Sequence, residues 1–234
     1  MMTIQRAGPR LGIRLVRACL LAAVIAAMTA APALAKKFYA TVDVPTDTGG
    51  TELPEDAINT RADGAWNVER PLPDGARAGA LHRQTEGTWL LSPRHPFESD
   101  GTSYEPRDVV ELDGTTYTLV LDGSFEGFPA SAGIDALFID GASGDYVFSF
   151  DTPVQLGGTW YTPGDLVQRT GSGTFTVYRD AEVAGLAGNV DVVGASEGCT
   201  SGLVVTFDVP ARVDGTDYLP GQLVRWESGG TFSV

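Results

Sequence analysis

Phe148-Ser-Phe-Asp-Thr-Pro153-Val-Gln-Leu-Gly-Gly158-Thr-Trp-Tyr-Thr-Pro163-Gly-Asp165-Leu-Val167, followed by Gly173-Thr-Phe-Thr-Val-Tyr178, is the stretch that decides the fold, because the chain repeats it. Val205-Thr-Phe-Asp-Val-Pro210-Ala-Arg-Val-Asp-Gly215-Thr-Asp-Tyr-Leu-Pro220-Gly-Gln-Leu-Val224 and Gly230-Thr-Phe-Ser-Val234 match it position by position. Leu91-Ser-Pro-Arg-His-Pro96 with Gly101-Thr-Ser-Tyr-Glu-Pro106-Arg-Asp108-Val-Val110 is a third copy. Ala40-Thr-Val-Asp-Val-Pro45 with Gly50-Thr-Glu-Leu-Pro54 and Asp56 is the fourth and most diverged. The first proline of each copy falls at 45, 96, 153 and 210, so the period is 51, 57 and 57 residues. A period of that size is the mark of a propeller, solenoid or array.

Each copy reads as short strands. Tyr146-Val-Phe-Ser-Phe150 alternates apolar and polar residues and stops at Asp151-Thr-Pro153, where proline ends the hydrogen-bond ladder. A second strand follows Gly157-Gly158, and Pro163-Gly164 is expected to form a type II turn. Asp165-Leu-Val-Gln-Arg169, Gly173–Tyr178, and the runs Ile134–Ile139 and Val190–Val193 complete the set. No stretch after residue 35 keeps a long 3.6-residue apolar period, so the expected class is all-β with few helices. Four units, at about 36–86, 87–143, 144–200 and 201–234, fill a single domain over 36–234. Propeller-like or barrel-like closure is preferred to open stacked sheets.

Residues 1–35 differ in kind. They carry Arg6, Arg10, Arg14 and Arg17 and no acid, then a small-residue apolar run from Ala18, and end on Ala33-Leu34-Ala35. A basic start, an apolar middle and an A-x-A end make a secretory leader, with cleavage expected after Ala35. Four of the 16 basic residues leave with it, so 12 face 30 acids and the formal charge moves from −14 to −18. Such a surface repels nucleic-acid backbones and anionic membranes. Of the two cysteines, Cys19 goes with the leader, and Cys199 is left without an intramolecular partner, open only to cross-linking two chains. No later apolar run approaches the roughly 18 residues that a membrane span needs. The expected location is therefore outside the cytoplasm, periplasmic or extracellular.

The pattern resembles tandem repeats of secreted or surface bacterial proteins without assigned activity, of the type S-F-D-x-P-V-x-L-G-G-x-x-Y-x-P-G-D-L-V followed by G-T-F-x-L-Y-x-D-G. The likeness covers about all of residues 36–234. It implies architecture and location and supplies no catalytic residue. The first copy departs most, with Arg70-Pro-Leu-Pro-Asp-Gly75 after its last strand.

Chemistry-bearing residues are few. Gly194-Ala-Ser196-Glu-Gly198 matches G-x-S-x-G, but that elbow needs a strand-to-helix turn with histidine later in the chain. Here both histidines, His82 and His95, precede Ser196, and a Gly/Ser loop between units is the better reading. Asp43, Asp151 and Asp208 recur at one place in the repeat, and Asp56, Asp108 and Asp165 at another. They are the calcium candidates, since hard cations take several carboxylate oxygens. Turn formation is the preferred explanation, because aspartate at a strand end hydrogen-bonds its own turn. Tyr104, Tyr161 and Tyr218 share a position that reads as core. In Thr159-Trp160-Tyr161 the two rings face opposite sides of a strand, so one of them is a candidate ligand platform. No catalytic residue and no required cofactor emerges. The expected function is a non-catalytic binding or structural module, with a glycan or cell-surface protein as partner. The competing class is a hydrolase using a carboxylate pair on a carbohydrate-type substrate.

Overall fold

The structure, a computed structural model, describes residues 38–41, 45–47, 51–62, 65–85, 87–198 and 202–234. Residues 1–35, read as a leader from their sequence, and also Asp43 and Cys199 lie outside the described residues. Four antiparallel sheets follow one another along the chain and are arranged as a four-bladed β-propeller. Blade 1 holds Phe38–Ala40, Ala57–Ala62 and Ala65–Pro71. Blade 2 runs from Ala78–Thr85 through Thr88–Pro93 and Val109–Asp113 to Thr116–Leu121. Blade 3 runs Ile134–Ile139, Tyr146–Phe150, Leu166–Gly171, Thr174–Arg179, and blade 4 Val192–Glu197, Leu203–Phe207, Val224–Trp226, Phe232–Ser233. The strands that open blades 2, 3 and 4 lie against one another and form the centre of the molecule.

Between the second and third strands of each four-stranded blade, and at the matching place in blade 1, a two-stranded ribbon projects; in blade 3 it is Val154–Leu156 with Thr159–Tyr161. Its turn, Gly157-Gly158, has φ of +57° and +88°, as a two-residue hairpin of the I′ kind requires. Asp100-Gly101 and Asp214-Gly215 do the same in blades 2 and 4 with an aspartate in the first place. The tyrosine that ends each of these ribbons, Tyr104, Tyr161 or Tyr218, is buried, as its place in the repeat led one to expect.

Apolar residues from adjoining blades fill three cores. Ile58, Leu91, Trp89 and Val110 join blades 1 and 2; Leu90, Phe148, Phe150 and Val167 join 2 and 3; Phe138, Val147, Val205 and Trp226 join 3 and 4. Each buried side chain of that size contributes about 1.5–3 kcal/mol, so blade-to-blade packing carries the fold.

Three local readings change. The inner strand of blade 4 runs Val192–Glu197, so Gly194-Ala-Ser196-Glu197 is strand, where a loop was expected. The cause is pairing with Leu203–Phe207, which a glycine-rich stretch meets without needing β-propensity of its own. Each inner strand also pairs with the strand that follows it, so blades 2, 3 and 4 open, and do not close, with this element. Finally, Pro163-Gly164 is not a type II turn, since Gly164 lacks positive φ, whereas Gly221 in blade 4 has φ of +71°. Gly164 is required for space: a Cβ there would sit 2.8 Å from the Ala181 Cβ.

Candidate functional site

Four of the recurring aspartates, Asp108, Asp151, Asp165 and Asp208, accept hydrogen bonds from backbone N–H groups. Asp165 Oδ2 accepts from the Thr162 N–H at 2.7 Å and its hydroxyl at 2.9 Å, and Oδ1 accepts from the Ala181 N–H at 2.8 Å. Asp108 does the same in blade 2, with the Glu105 and Gly123 N–H groups at 2.8 and 3.0 Å. One carboxylate thus closes its own turn and anchors the segment that leaves the outer strand. At the other recurring place, Asp151 Oδ1 accepts from Gly133 N–H at 2.7 Å and Asp208 Oδ1 from Asp191 N–H at 2.9 Å. Asp56 lies exposed in a turn, where its carbonyl accepts from Leu72 N–H at 2.7 Å. Among the described residues no three His, Cys, Asp or Glu side chains are grouped as a metal site.

Two acids that do not recur make the most unusual electrostatic site. Asp135 is the second residue of the blade 3 inner strand, and Asp191 immediately precedes that of blade 4. The Asp135 carboxyl neighbours that of Asp191 and favours its protonated form. Burial, first, and then the charges of Asp135, Asp208 and Asp151 push Asp191 up to about 9. Its Oδ1 is buried without a hydrogen-bond partner. Sequence reasoning missed this pair because it followed recurrence. The available signal was an acid set inside apolar runs, Ile134-Asp-Ala and Val190-Asp-Val.

At the far ends of the inner strands, Glu197 Oε1 accepts from the Gly141 N–H at 2.8 Å. Asp140 accepts from Ser143 N–H and hydroxyl and from the Tyr178 hydroxyl, which hold its carboxyl below the usual range. His82 stands half-buried in the blade 2 inner strand; desolvation lowers its pKa, with Glu197 opposing. His95 and Arg94 are exposed in the bend after Pro93, and Ser196 is exposed with its hydroxyl directed to its neighbour's carbonyl at 3.4 Å. The structure does not bring Ser196, His95 and a carboxylate together as a triad in any hydrogen bond among the described residues.

Trp160 and Tyr161 separate as their alternation demands. Tyr161 is 2% exposed, beneath the ribbon, and Trp160 is 66% exposed on its outer face. The same place holds Ser103 in blade 2 and Asp217 in blade 4, so the ribbon does not need an aromatic there. Its neighbour across the ribbon is Gln155. A flat, exposed indole on a rigid hairpin offers stacking to an apolar or sugar face. Among the described residues no helix is long and apolar enough to cross a membrane, which says nothing of strands. No family model and no curated protein matches the chain.

Proposed function

We propose that this chain is an exported, non-catalytic β-propeller that binds a glycan or a cell-surface protein through its ribbon face. The observation that carries the reading is Trp160, exposed at a position where the sister blades use small or charged polar residues. The repeated polar side chains support it from the other side, because Asp108, Asp151, Asp165 and Asp208 are occupied by backbone N–H groups. Export is supported by the basic-apolar-A-x-A character of residues 1–35, and the bacterial surface setting by the resemblance of the repeats. Calcium is not needed for the reading, nor is a disulfide through Cys199.

A glycan array probed with the chain and with its Trp160→Ala variant tests the proposal. Hits that vanish in the variant support a Trp160 platform. An array without hits, or hits unaffected by the substitution, overturns it for glycans. Pull-down from intact cell surfaces, lost in the same variant, would move the ligand to protein.

The second reading is hydrolysis by the Asp135–Asp191 pair, favoured by the raised pKa of Asp191 beside a second carboxyl. Cleavage of a chromogenic substrate that Asp191→Asn abolishes would establish it in place of the first.

A further inference from the structure

Two of the segments that leave an outer strand are built alike. In Gly123–Phe128 the Phe128 N–H donates to the Gly123 carbonyl at 2.8 Å, and in Ala181–Leu186 the Leu186 N–H donates to the Ala181 carbonyl at 2.9 Å. The aspartate before each turn grips the third residue after it. Asp122 Oδ1 accepts from Phe125 N–H at 3.1 Å, and Asp180 Oδ1 accepts from Val183 N–H at 2.9 Å. Gly127 and Gly185, with φ of +87° and +79°, end the two turns. Any residue but proline supplies the N–H at the third place. Yet the side chain there is large and apolar in both turns, Phe125 at 78% exposed and Val183 at 83%.

Each turn lies between two ribbons. Asp108 and Asp165 tie it to the base of its own blade's ribbon through the Gly123 and Ala181 N–H groups. On its other side Phe128 shares a core with Val154 and Leu156 of the blade 3 ribbon, and Leu186 shares one with Ala211 and Val213 of the blade 4 ribbon. The order along this rim is therefore Phe125, the blade 3 ribbon with Trp160, Val183, and the blade 4 ribbon. Leu219, at the end of that last ribbon, is 61% exposed where the sister blades hold Glu105 and Thr162. A single exposed apolar residue is ordinary. Four in succession on one rim, two of them at a recurring place, mark an interaction surface.

The charge of the rim is one-sided. Asp122, Asp180, Glu182 and Asp214 are exposed among these side chains. Across residues 122–131, 153–164, 180–191 and 211–222 the one basic residue is Arg212, and it lies 3.6 Å from Asp217. A second copy of this chain would bring the same acids to the contact, and an anionic membrane would be repelled in the same way. We infer that the occupant of this rim is a protein segment in which lysine or arginine alternates with apolar side chains. The inference rests on the reading of the ribbon face as a binding face, and it names the partner. The partner's apolar groups cover Phe125, Trp160, Val183 and Leu219, where desolvation supplies affinity. Its cations meet the carboxylates around them, which speeds encounter and rejects acidic competitors.

The test measures fluorescence anisotropy of a labelled peptide of alternating lysine and leucine, mixed with the chain. Oligolysine of equal charge and the same peptide with glutamate for lysine serve as comparisons. The parent should bind the lysine–leucine peptide about tenfold more tightly than oligolysine and should not bind the glutamate peptide. Phe125→Ser with Val183→Ser should bring the lysine–leucine peptide down to the oligolysine level with the melting temperature unchanged, because both side chains are exposed. Glu182→Lys with Asp180→Lys should weaken both cationic peptides. Equal affinity for the two cationic peptides, no binding of either, or indifference to the serine pair overturns the inference. Binding to phosphatidylcholine vesicles that the serine pair abolishes also overturns it, in favour of a lipid surface. Glycan hits lost in Trp160→Ala but kept in the serine pair would leave the ribbon face a binding face and remove only this partner.

Discussion

Arg169, in the third strand of blade 3, donates to the Glu126 carboxylate at 2.7 Å and ties that blade to the segment leaving blade 2. Glu126 has a side chain only 4% exposed, and it also accepts from the Gly173 N–H at 2.7 Å. The Arg169 hydrogen bond is the main reason its carboxyl titrates below the usual glutamate range. Two blades that share a core are therefore also joined by a charge pair at its rim.

Removing one partner should cost more than the pair is worth, because the other charge stays largely buried. Glu126→Ala is expected to destabilise by about 3 kcal/mol, and Glu126→Gln by less, measured by urea unfolding. The sign with pH follows from a depressed folded value. The contribution is complete above the unfolded glutamate value and is lost as pH falls through the folded one. Parent and Glu126→Gln should therefore converge in acid, which melting curves from pH 7 down to 3 will show.

Asp165 and calcium make opposite claims on the same oxygens. Since Thr162 and Ala181 N–H groups occupy the carboxylate, Asp165→Ala should cost about 2 kcal/mol whether calcium is present or chelated. The melting temperature of the parent should be the same in calcium and in chelator. A rise with calcium would show that ions displace the backbone donors.

Asp191 should act against stability as pH rises. Its folded value is raised to about 9, so the native state keeps a proton that the unfolded chain has released. That contribution is full below the unfolded aspartate value and fades as pH climbs toward 9. Asp191→Asn should gain on the parent, by about 1–2 kcal/mol at pH 8 and little at pH 4. Thermal melts at the two pH values decide it.

Trp160 and Tyr161, adjacent in sequence, should behave as different classes of residue. Tyr161→Ala opens the blade 3 core and should cost about 3–5 kcal/mol, while Trp160→Ala should stay within about 0.5 kcal/mol. Denaturant midpoints measured side by side check the contrast. If Trp160→Ala is the costlier change, the indole belongs to the core and not to a binding face.

How far the chain was readable depended on whether a feature recurred. The tyrosines, the glycine turns and the clamp aspartates each appear several times at fixed spacing, and their burial, positive φ and backbone hydrogen bonds follow from that spacing. Asp135 and Asp191 occur once each, in different blades, and the packing of one inner strand against the next brings them together. The phase of the blades was also hidden. An inner strand carries no label saying which neighbour it will pair with, and only the ladders show that it opens the blade after it.

Local chemistry in the sequence determined the all-β class, the four-unit order, the paired-residue hairpin turns and that the Trp160 and Tyr161 rings face opposite sides of their strand. These depend on neighbours along the chain: side-chain alternation, glycine's access to positive φ and proline's missing N–H. The tertiary structure decided the rest: that the inner strands of blades 2, 3 and 4 meet at the centre, that Asp191 is buried beside Asp135, and that Arg169 holds Glu126 across a blade junction. Those properties belong to pairs of groups more than 40 residues apart or in different blades. Desolvation and hydrogen-bond satisfaction are set by what surrounds a group in space, and no spacing in the sequence records it.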